Sequence, residues 1–151
     1  MIYVIKLTRP LNTITAGITT VIASSILSGL NDLITVVTLA LTVMAYTAGA
    51  NSLNDAVDFL TDLVNRPDRV IPAGLISQNS AIFVSFIFYL IGTISALSLN
   101  DEAVFIGVII AMPLMVVYSI HLKGKPLVGN IVVSIVIGLS FLFCGAAHQN
   151  Y

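Results

Sequence analysis

Five long runs without a charged residue constrain the fold of this chain more than any other feature. They extend over 10–31, 33–54, 70–100, 103–122 and 126–151. Each run is long enough to supply the roughly 20 apolar residues that a membrane-spanning helix needs. Charged residues make up only 9% of the chain, whereas they make up about a quarter of a soluble protein. The sequence therefore predicts an all-α, polytopic transmembrane helix bundle with about five spans.

The same composition argues against several other classes of protein. The first apolar run is too long for the apolar region of a cleavable signal peptide, so we expect it to remain as a span. The single cysteine, Cys144, lies inside the fifth run and leaves no disulfide framework within one chain. A net charge of −1, without a basic patch that carries interleaved aromatic residues, argues against nucleic acid as a partner. We predict a single transmembrane helical domain over 1–151.

The stretch 51–74, which reads NSLNDAVDFLTDLVNRPDRVIPAG, interrupts the apolar pattern. It holds four of the seven acidic residues and two of the six basic ones. In a continuous helix Asn51, Asp55, Asp58 and Asp62 would lie within an arc of about 60°, because each residue turns the helix by about 100°. Three carboxylates would then share one face.

Such a row of carboxylates is destabilising unless a cation lies against it. Mg²⁺ is the expected cation, because it prefers oxygen ligands and commonly binds one or two carboxylates together with the phosphate oxygens of a substrate. The alternative is a solvated polar loop between two spans. Such a loop would not need its acids on one helical face, nor Arg66 and Arg69 directly after them.

Two motifs in this stretch resemble those of the UbiA-type intramembrane prenyltransferases. The first, N-D-x-x-D-x-x-x-D, is formed by Asn54, Asp55, Asp58 and Asp62. The second, N-R-P-x-R-x-I-P-x-G, is formed by residues 65–74. The resemblance implies that the three aspartates bind Mg²⁺ and, through it, the diphosphate of an isoprenoid donor. It also implies that Asn51 or Asn54 assists them and that Arg66 and Arg69 neutralise the remaining charge of the diphosphate.

Two further passages resemble the same family. The sequence R-P-x-N contains Arg9 and Asn12, and Y-S-x-x-L-K…P-x-x-G-N contains Tyr118, Lys123 and Asn130. The second passage best matches the archaeal branch that makes digeranylgeranylglyceryl phosphate. Lys123 is the strongest candidate, because a fixed cation near the aspartates could hold diphosphate. Arg9 as a topology anchor and Tyr118 as an aromatic-belt residue are the alternatives.

The predicted site therefore has three groups of residues, and the metal-binding group consists of Asp55, Asp58 and Asp62. The catalytic group consists of Asp55, Asp58 and Lys123. The substrate-binding group consists of Arg9, Asn12, Asn51, Asn54, Arg66, Arg69, Tyr118 and Asn130.

The positions of the basic residues predict how the chain crosses the membrane. With five spans, all six lysines and arginines fall on one side, and the turns at Asp32 and at Asp101–Glu102 carry none. Positive residues are retained on the cytoplasmic side. We therefore expect a cytoplasmic N-terminus, a cytoplasmic Asp-rich motif and loop over 51–74, and an integral location in the cell membrane.

The resemblance also implies a reaction. An isoprenyl diphosphate is the expected donor, and a lipid phosphate, geranylgeranylglyceryl phosphate, is the expected acceptor in archaeal ether-lipid synthesis. An aromatic acceptor such as a quinone precursor is one alternative. A non-catalytic cation-binding membrane bundle is another, although an ion path should place ionisable residues at mid-membrane depth, and the apolar runs hold no Asp, Glu, Lys or Arg.

One departure from the family pattern affects these expectations. The family has about nine spans and a second Asp-rich motif on a later helix, whereas this sequence stops after five spans. Asp101 and Glu102 cannot replace that motif, because they fall on the opposite side. We expect the chain to be the first half of a nine-helix fold and a fragment of a longer protein. The alternatives are two chains that assemble as a homo-oligomer, or an inactive chain that binds without turnover.

Overall fold

The computed structural model describes residues 2–28 and 31–149, and all regular structure in those ranges is helical. Five helices are long and apolar enough to cross a membrane, and they cover Pro10–Leu27, Leu33–Val57, Gln78–Ala96, Asp101–Leu122 and Leu127–His148. The predicted all-α membrane bundle is therefore confirmed. Gly29 and Leu30, between the first two spans, lie outside the described residues.

A short helix, α1 (Ile2–Leu7), precedes the first span, and the sequence patterns did not predict it. The first span, α2 (Pro10–Ser28), begins at Pro10. Proline suits the first helical position, because its fixed φ is already helical and its missing N–H would have no partner there. Arg9 joins the two helices with a left-handed backbone, at φ 50°.

The second span, α3 (Leu33–Val57), carries the acidic motif at its C-terminal end. Its 25 residues give a length of about 37 Å at 1.5 Å per residue, which exceeds the roughly 30 Å of a bilayer's hydrocarbon core. Helix α4 (Phe59–Asn65) follows after a one-residue interruption at Asp58. The predicted helix through Asp62 is therefore present, but it is broken once.

The third span, α5 (Gln78–Ala96), packs closely along α3. The hydroxyl of Ser85 donates a 2.8 Å hydrogen bond to the carbonyl of Gly49. A Cβ at Gly49 would lie 3.2 Å from the carbonyl oxygen of Ser85, so glycine permits this close approach. The hydroxyls of Tyr46 and Thr93 also meet across the two helices, at 3.2 Å.

The fourth span is not a regular α-helix. It begins as α6 (Asp101–Val104), becomes π-helical over Phe105–Ala111, returns to α-helix in α7 (Met112–Val117), and is π-helical again over Tyr118–Leu122. Pro113 lies at the start of α7 and cannot donate a backbone hydrogen bond. The wider turn just before Pro113 fits this missing donor, since such turns commonly occur as local irregularities within helices.

The fifth span, α8 (Pro126–His148), packs against α2 and the fourth span. The buried core of this half of the bundle consists of Ala23, Leu39, Ala96, Ala103, Phe143, Cys144 and Ala146. Cys144 is a free, buried thiol, as its position in the fifth apolar run predicted. A second buried cluster near the acidic end of α3 consists of Leu7, Ala56, Ile71 and Ala81.

Candidate functional site

Two aspartates at the acidic end of α3 and α4 are buried and share one arginine. Asp55 and Asp62 are 7% and 5% exposed. Nη1 of Arg69 lies 2.6 Å from Oδ2 of Asp62 and 3.3 Å from Oδ1 of Asp55. A buried carboxylate is unfavourable unless it is paired. Arg69 therefore neutralises two charges that the fold has removed from water.

Arg69 is positioned by an anchored loop. The segment 66–77 follows α4 without a regular helix, as its two prolines and Gly74 predicted. Ile71 of this loop is 4% exposed and packs in the cluster with Leu7, Ala56 and Ala81. The side-chain amide of Gln78 donates a 2.9 Å hydrogen bond to the carbonyl of Ala56. These contacts fix the middle and the C-terminal end of the loop against α3.

Arg9 approaches Asp55 from the junction between α1 and α2, and its Nη2 contacts Oδ1 of the carboxylate. Its left-handed backbone is uncommon for a residue with a side chain. Strained conformations of this kind persist where the surroundings impose them. The buried amide of Asn51 supplies one such constraint, because its Nδ2 donates a 3.0 Å hydrogen bond to the carbonyl of Thr8.

Lys123 reaches the third aspartate, Asp58, from the end of the fourth span. The π-helical turn Tyr118–Leu122 ends at Lys123, whose backbone N–H donates to the carbonyl of Tyr118. Asp58 lies at the break between α3 and α4, and its side chain makes no capping hydrogen bond there. Its carboxylate is therefore available to an ion pair with a residue 65 positions further along the chain.

These groups surround a polar cavity of about 820 Å³. It is lined by Arg9, Val57, Asp58, Thr61, Asp62, Asn65, Arg66, Arg69, Ser119, Ile120, His121, Lys123 and Gly124. Four of these residues are arginine or lysine, against two aspartates in the lining and Asp55 paired to Arg9 and Arg69. Four positive charges minus three negative ones leave an excess of one positive charge. The cavity is therefore suited to an anionic ligand.

The oxygen atoms at this site are of the type that a hard divalent cation prefers. Besides the carboxylates, the amide oxygen of Asn54 is buried and makes no hydrogen bond within the described part of the chain. A buried acceptor without a partner is unusual and calls for an explanation such as an ion. Among residues 2–28 and 31–149, no three His, Cys, Asp or Glu side chains converge as a ready-made metal site. The aspartates face their basic partners instead.

A second, mainly apolar cavity of about 560 Å³ lies beside the polar one. It is lined by Leu11, Asn12, Thr15, Ala16, Thr19, Thr20, Ala23, Val43, Tyr46, Thr47, Gly107, Ala111, Met115, Val136, Ile137, Leu139, Ser140, Phe141, Phe143 and Cys144. Arg9, directly before α2, lines the polar cavity, and the apolar lining begins at Leu11 on α2. On the fourth span, Ser119 lines the polar cavity and Met115 lines the apolar one. The two residues are neighbours, because the hydroxyl of Ser119 donates a hydrogen bond to the carbonyl of Met115.

Comparison with known proteins decides the family. The model of the UbiA prenyltransferase family matches residues 14–151. The chain belongs to the UbiA prenyltransferase family. The resemblance drawn from the aspartate and arginine motifs is therefore confirmed.

Several curated UbiA relatives carry the name digeranylgeranylglyceryl phosphate synthase. The chain is 34% identical to the one from Methanothrix thermoacetophila over 145 residues, which cover 95% of this chain and 54% of the relative. It is 38% identical to that of Methanoculleus marisnigri, covering 94% and 50%, and 37% identical to that of Methanopyrus kandleri, covering 97% and 53%. The chain thus spans about half the length of these relatives.

A solved structure from work on digeranylgeranylglyceryl phosphate synthase in membranes has the same architecture. It superimposes with a TM-score of 0.89 at 31% sequence identity, over 96% of this chain and 52% of that one. The five-span bundle is thus similar to about half of a solved UbiA structure.

Most of the predicted site residues come together at the polar cavity. Arg9, Asp58, Asp62, Arg66, Arg69 and Lys123 line it. Asp55 lies behind this lining and contacts Arg9 and Arg69. Arg66 is exposed and forms no ion pair with the described residues, so it is a free cation at the cavity.

Five predicted residues lie outside the lining of the polar cavity. Asn54, the residue before Asp55, lines neither cavity. Asn51 is buried against the α1–α2 junction, where its amide bonds to Thr8. Asn12 lines the apolar cavity. Tyr118 and Asn130 are in the lining of neither cavity, although the backbone of Tyr118 accepts the hydrogen bond from Lys123. Their assignment as substrate-binding residues stays a prediction.

Sequence reasoning did not assign a site role to four polar residues that line the polar cavity, namely Thr61, Asn65, Ser119 and His121. A usable signal existed for each of them. Asn65 and Ser119 belong to the quoted motifs, His121 is two residues before Lys123, and Thr61 directly precedes Asp62.

Proposed function

We propose that this chain provides the donor-binding half of an enzyme that transfers a geranylgeranyl group from geranylgeranyl diphosphate to the hydroxyl of geranylgeranylglyceryl phosphate, with Mg²⁺. One observation carries the proposal: a cavity with an excess of positive charge and buried carboxylates adjoins an apolar cavity. A donor with a diphosphate head and a hydrocarbon tail requires that combination. The names of the relatives support the choice of donor and acceptor.

The residues of the polar cavity fit a divalent metal in chemical type. Mg²⁺ usually needs only one or two carboxylates when a substrate phosphate completes its coordination. Asp55, Asp58 and Asp62, with the amide oxygen of Asn54 that has no partner among the described residues, would hold it. When bound, Mg²⁺ supplies Lewis-acid stabilisation of the departing diphosphate.

The basic residues bind and neutralise the diphosphate. Arg66 has no acidic partner among the described residues and is available without breaking an ion pair. Arg9, Arg69 and Lys123 are held at the cavity by their aspartates and can share their donors with phosphate oxygens. Such preorganised positive groups stabilise a leaving group without being rearranged during the reaction, and each contributes several kcal/mol at most, about 3 in measured cases.

The apolar cavity excludes water from the reacting carbon. Cleavage of the bond between the allylic carbon and the diphosphate oxygen leaves an allylic cation, and the electron pair leaves with the diphosphate. The hydroxyl oxygen of the acceptor then forms an ether bond to that carbon, and its proton passes to the released diphosphate. Water would compete for the same cation, so a dry lining favours transfer over hydrolysis.

We also propose an orientation and a domain organisation. Arg9, Arg69 and Lys123 meet at one end of the bundle, which supports the prediction that the basic residues share one side. Retention of positive residues on the cytoplasmic side then makes the polar cavity and the Asp-rich segment 51–74 cytoplasmic. The chain over 1–151 acts as one helical domain.

The proposal is tested with the purified chain in detergent micelles. We expect geranylgeranyl diphosphate to bind more tightly with Mg²⁺ than with a chelator. A chain that keeps its helical circular dichroism spectrum and does not bind this donor under either condition would contradict the proposal. Transfer is then assayed with geranylgeranylglyceryl phosphate and with an aromatic quinone precursor as competing acceptors. Consumption of the aromatic acceptor alone would overturn the assignment of the lipid phosphate.

A further inference from the structure

We propose that the closed end of the apolar cavity, formed by Ala23, Phe143 and Cys144, sets the longest isoprenoid donor that this chain accepts. The inference rests on the proposed function, and it adds a residue-level determinant of donor length.

The apolar cavity runs along one face of α2. The lining residues of this helix fall at positions 11 and 12, 15 and 16, 19 and 20, and 23. This spacing of about four residues keeps them on one side of the helix. From Leu11 to Ala23 the helix rises by about 18 Å, at 1.5 Å per residue. The cavity is therefore long and follows the span.

One end of the cavity opens toward the polar site. Leu11 is two residues from Arg9, which contacts Asp55. A diphosphate held by the aspartates and arginines would place the first carbons of its tail at this end. The tail would then extend along α2, away from the charged groups.

The other end is closed by the buried core. Ala23, Phe143 and Cys144 line the cavity and also belong to the cluster that contains Leu39, Ala96, Ala103 and Ala146. Leu27, one helical turn beyond Ala23, packs against the same cluster. The carbonyl of Ala146 accepts a hydrogen bond from the side chain of Asn100, at 2.8 Å. A longer tail that continues along α2 would therefore have to displace packed side chains.

Phe143 is the largest side chain at this closed end, and the lack of a side chain at Gly107 makes room for its ring. A Cβ at Gly107 would lie 2.8 Å from Cε2 of the Phe143 ring. The ring therefore occupies space that any residue larger than glycine at position 107 would fill. A smaller residue at position 143 would lengthen the cavity, and a larger one at position 23 would shorten it.

The test compares the affinities of three donors for the 151-residue chain with Mg²⁺. Geranylgeranyl diphosphate is the reference, farnesyl diphosphate is one isoprene unit shorter, and geranylfarnesyl diphosphate is one unit longer. In Ala23→Phe we expect farnesyl diphosphate to keep its affinity and geranylgeranyl diphosphate to lose about tenfold or more. Even one methylene group in an apolar pocket changes discrimination by about 10-fold to 200-fold.

Ile22→Phe is the matched control, because it adds the same ring one residue earlier on the outer surface of α2. Ile22 is 55% exposed and is not in the cavity lining. We expect the order of the three affinities to be unchanged in this variant. A shift in Ile22→Phe equal to that in Ala23→Phe would overturn the inference.

Phe143→Leu provides the opposite change and decides the question if Ala23→Phe does not fold. We expect the affinity for geranylfarnesyl diphosphate to rise by about tenfold relative to geranylgeranyl diphosphate. An equal change for all three donors in a folded variant would overturn the length determinant while leaving the proposed function intact. Failure of the unmodified chain to bind any of the donors would instead overturn the proposed function, and the inference with it.

Discussion

The two ends of this bundle use acidic side chains in different ways. At one end, Asp32 accepts hydrogen bonds from the backbone N–H and hydroxyl of Thr35, three residues away. At the other end, Asp55 and Asp58 pair with residues 46 and 65 positions distant. Asp32 caps its own helix, which is a local and structural role. Asp55 and Asp58 instead join several elements around a cavity.

This difference separates helix-capping acids from acids available to a ligand. A capping carboxylate accepts hydrogen bonds from donors of its own helix, so its oxygens are less available to a ligand. Asp58 also lies at a helix boundary, yet its side chain does not cap and contacts Lys123 instead. Asp55 and Asp62 are buried and depend on Arg9 and Arg69 for charge balance. Substitutions at the two ends test this difference.

The largest effect on stability is expected for Arg69→Met. This change leaves Asp62 without its basic partner and removes one of two from Asp55. Breaking a buried pair by removing one partner destabilises a protein by about 3–5 kcal/mol, and we expect a value near 3 because Arg69 itself is partly exposed. Denaturant unfolding in micelles, followed by circular dichroism, measures the free energy of unfolding.

Arg66→Met is the control, because Arg66 is exposed and forms no ion pair with the described residues. Its free energy of unfolding should stay within about 0.5 kcal/mol of that of the unmodified chain. Equal losses in both variants would contradict the role of Arg69.

The next largest effect is expected for Asp58→Asn, in ligand binding. We expect the Mg²⁺-dependent affinity for geranylgeranyl diphosphate to fall at least tenfold, about 1.4 kcal/mol, because a carboxylate that faces the cavity is lost. Equilibrium titration of the donor measures this change. Asp68→Asn is the matched control, since Asp68 is an exposed acid of the same stretch. Unchanged affinity in Asp58→Asn would remove Asp58 from the metal site.

A smaller loss of stability is expected for Lys123→Met. The side chains of Lys123 and Asp58 are 31% and 25% exposed, and partly exposed ion pairs contribute up to about 1 kcal/mol. We expect a change in the free energy of unfolding within that limit, together with clearly weaker donor binding. Lys125→Met, at an exposed lysine two residues after Lys123, should change neither the free energy of unfolding nor donor binding. A loss of stability without any loss of binding would assign Lys123 a purely structural role.

The smallest effect is expected for Asp32→Asn at the capping end. Asparagine also caps helices well, so at neutral pH the melting temperature should change little. The hydrogen bonds from the side chain and backbone of Thr35 lower the pKa of Asp32 below its usual value. A lowered pKa means that the stabilisation is present above the usual pKa, near 4, and is lost as pH falls through the lowered value. Thermal melts should show this acid-induced loss in the unmodified chain, and Asp32→Asn should show only the loss due to other titrating groups. A large loss at neutral pH would contradict the local role.

The sequence was sufficient to predict the all-α membrane bundle and the charged residues that lie together at its polar end. Uncharged runs of sufficient length define the five spans because a bilayer selects for length and hydrophobicity. The motifs identify Asp58, Asp62, Arg69 and Lys123, all of which line one cavity. The partners within that cavity could not be predicted from spacing alone, since Asp58 and Lys123 meet only through the packing of α3 against the fourth span.

Other features depend on packing that hydrophobic patterns do not encode. The interruption at Asp58, the left-handed backbone of Arg9 and the π-helical turns of the fourth span are small departures from regular helices. Asn51 illustrates the same point. Its position on the acidic face predicts a ligand contact, but the hydrogen bond from its amide to Thr8, which holds the α1–α2 junction, could not be predicted from the sequence. The apolar cavity likewise arises only when four spans are assembled.

The decisive measurement is the affinity of a non-reactive donor analogue, geranylgeranyl thiolodiphosphate, for the unmodified chain with Mg²⁺ and with a chelator. If the aspartates bind a metal together with the diphosphate, affinity will be at least about tenfold higher with Mg²⁺, and Asp55→Asn combined with Asp62→Asn will remove that advantage. Equal affinity in both conditions for a folded chain would show that the aspartates serve only to hold Arg9, Arg69 and Lys123 in place.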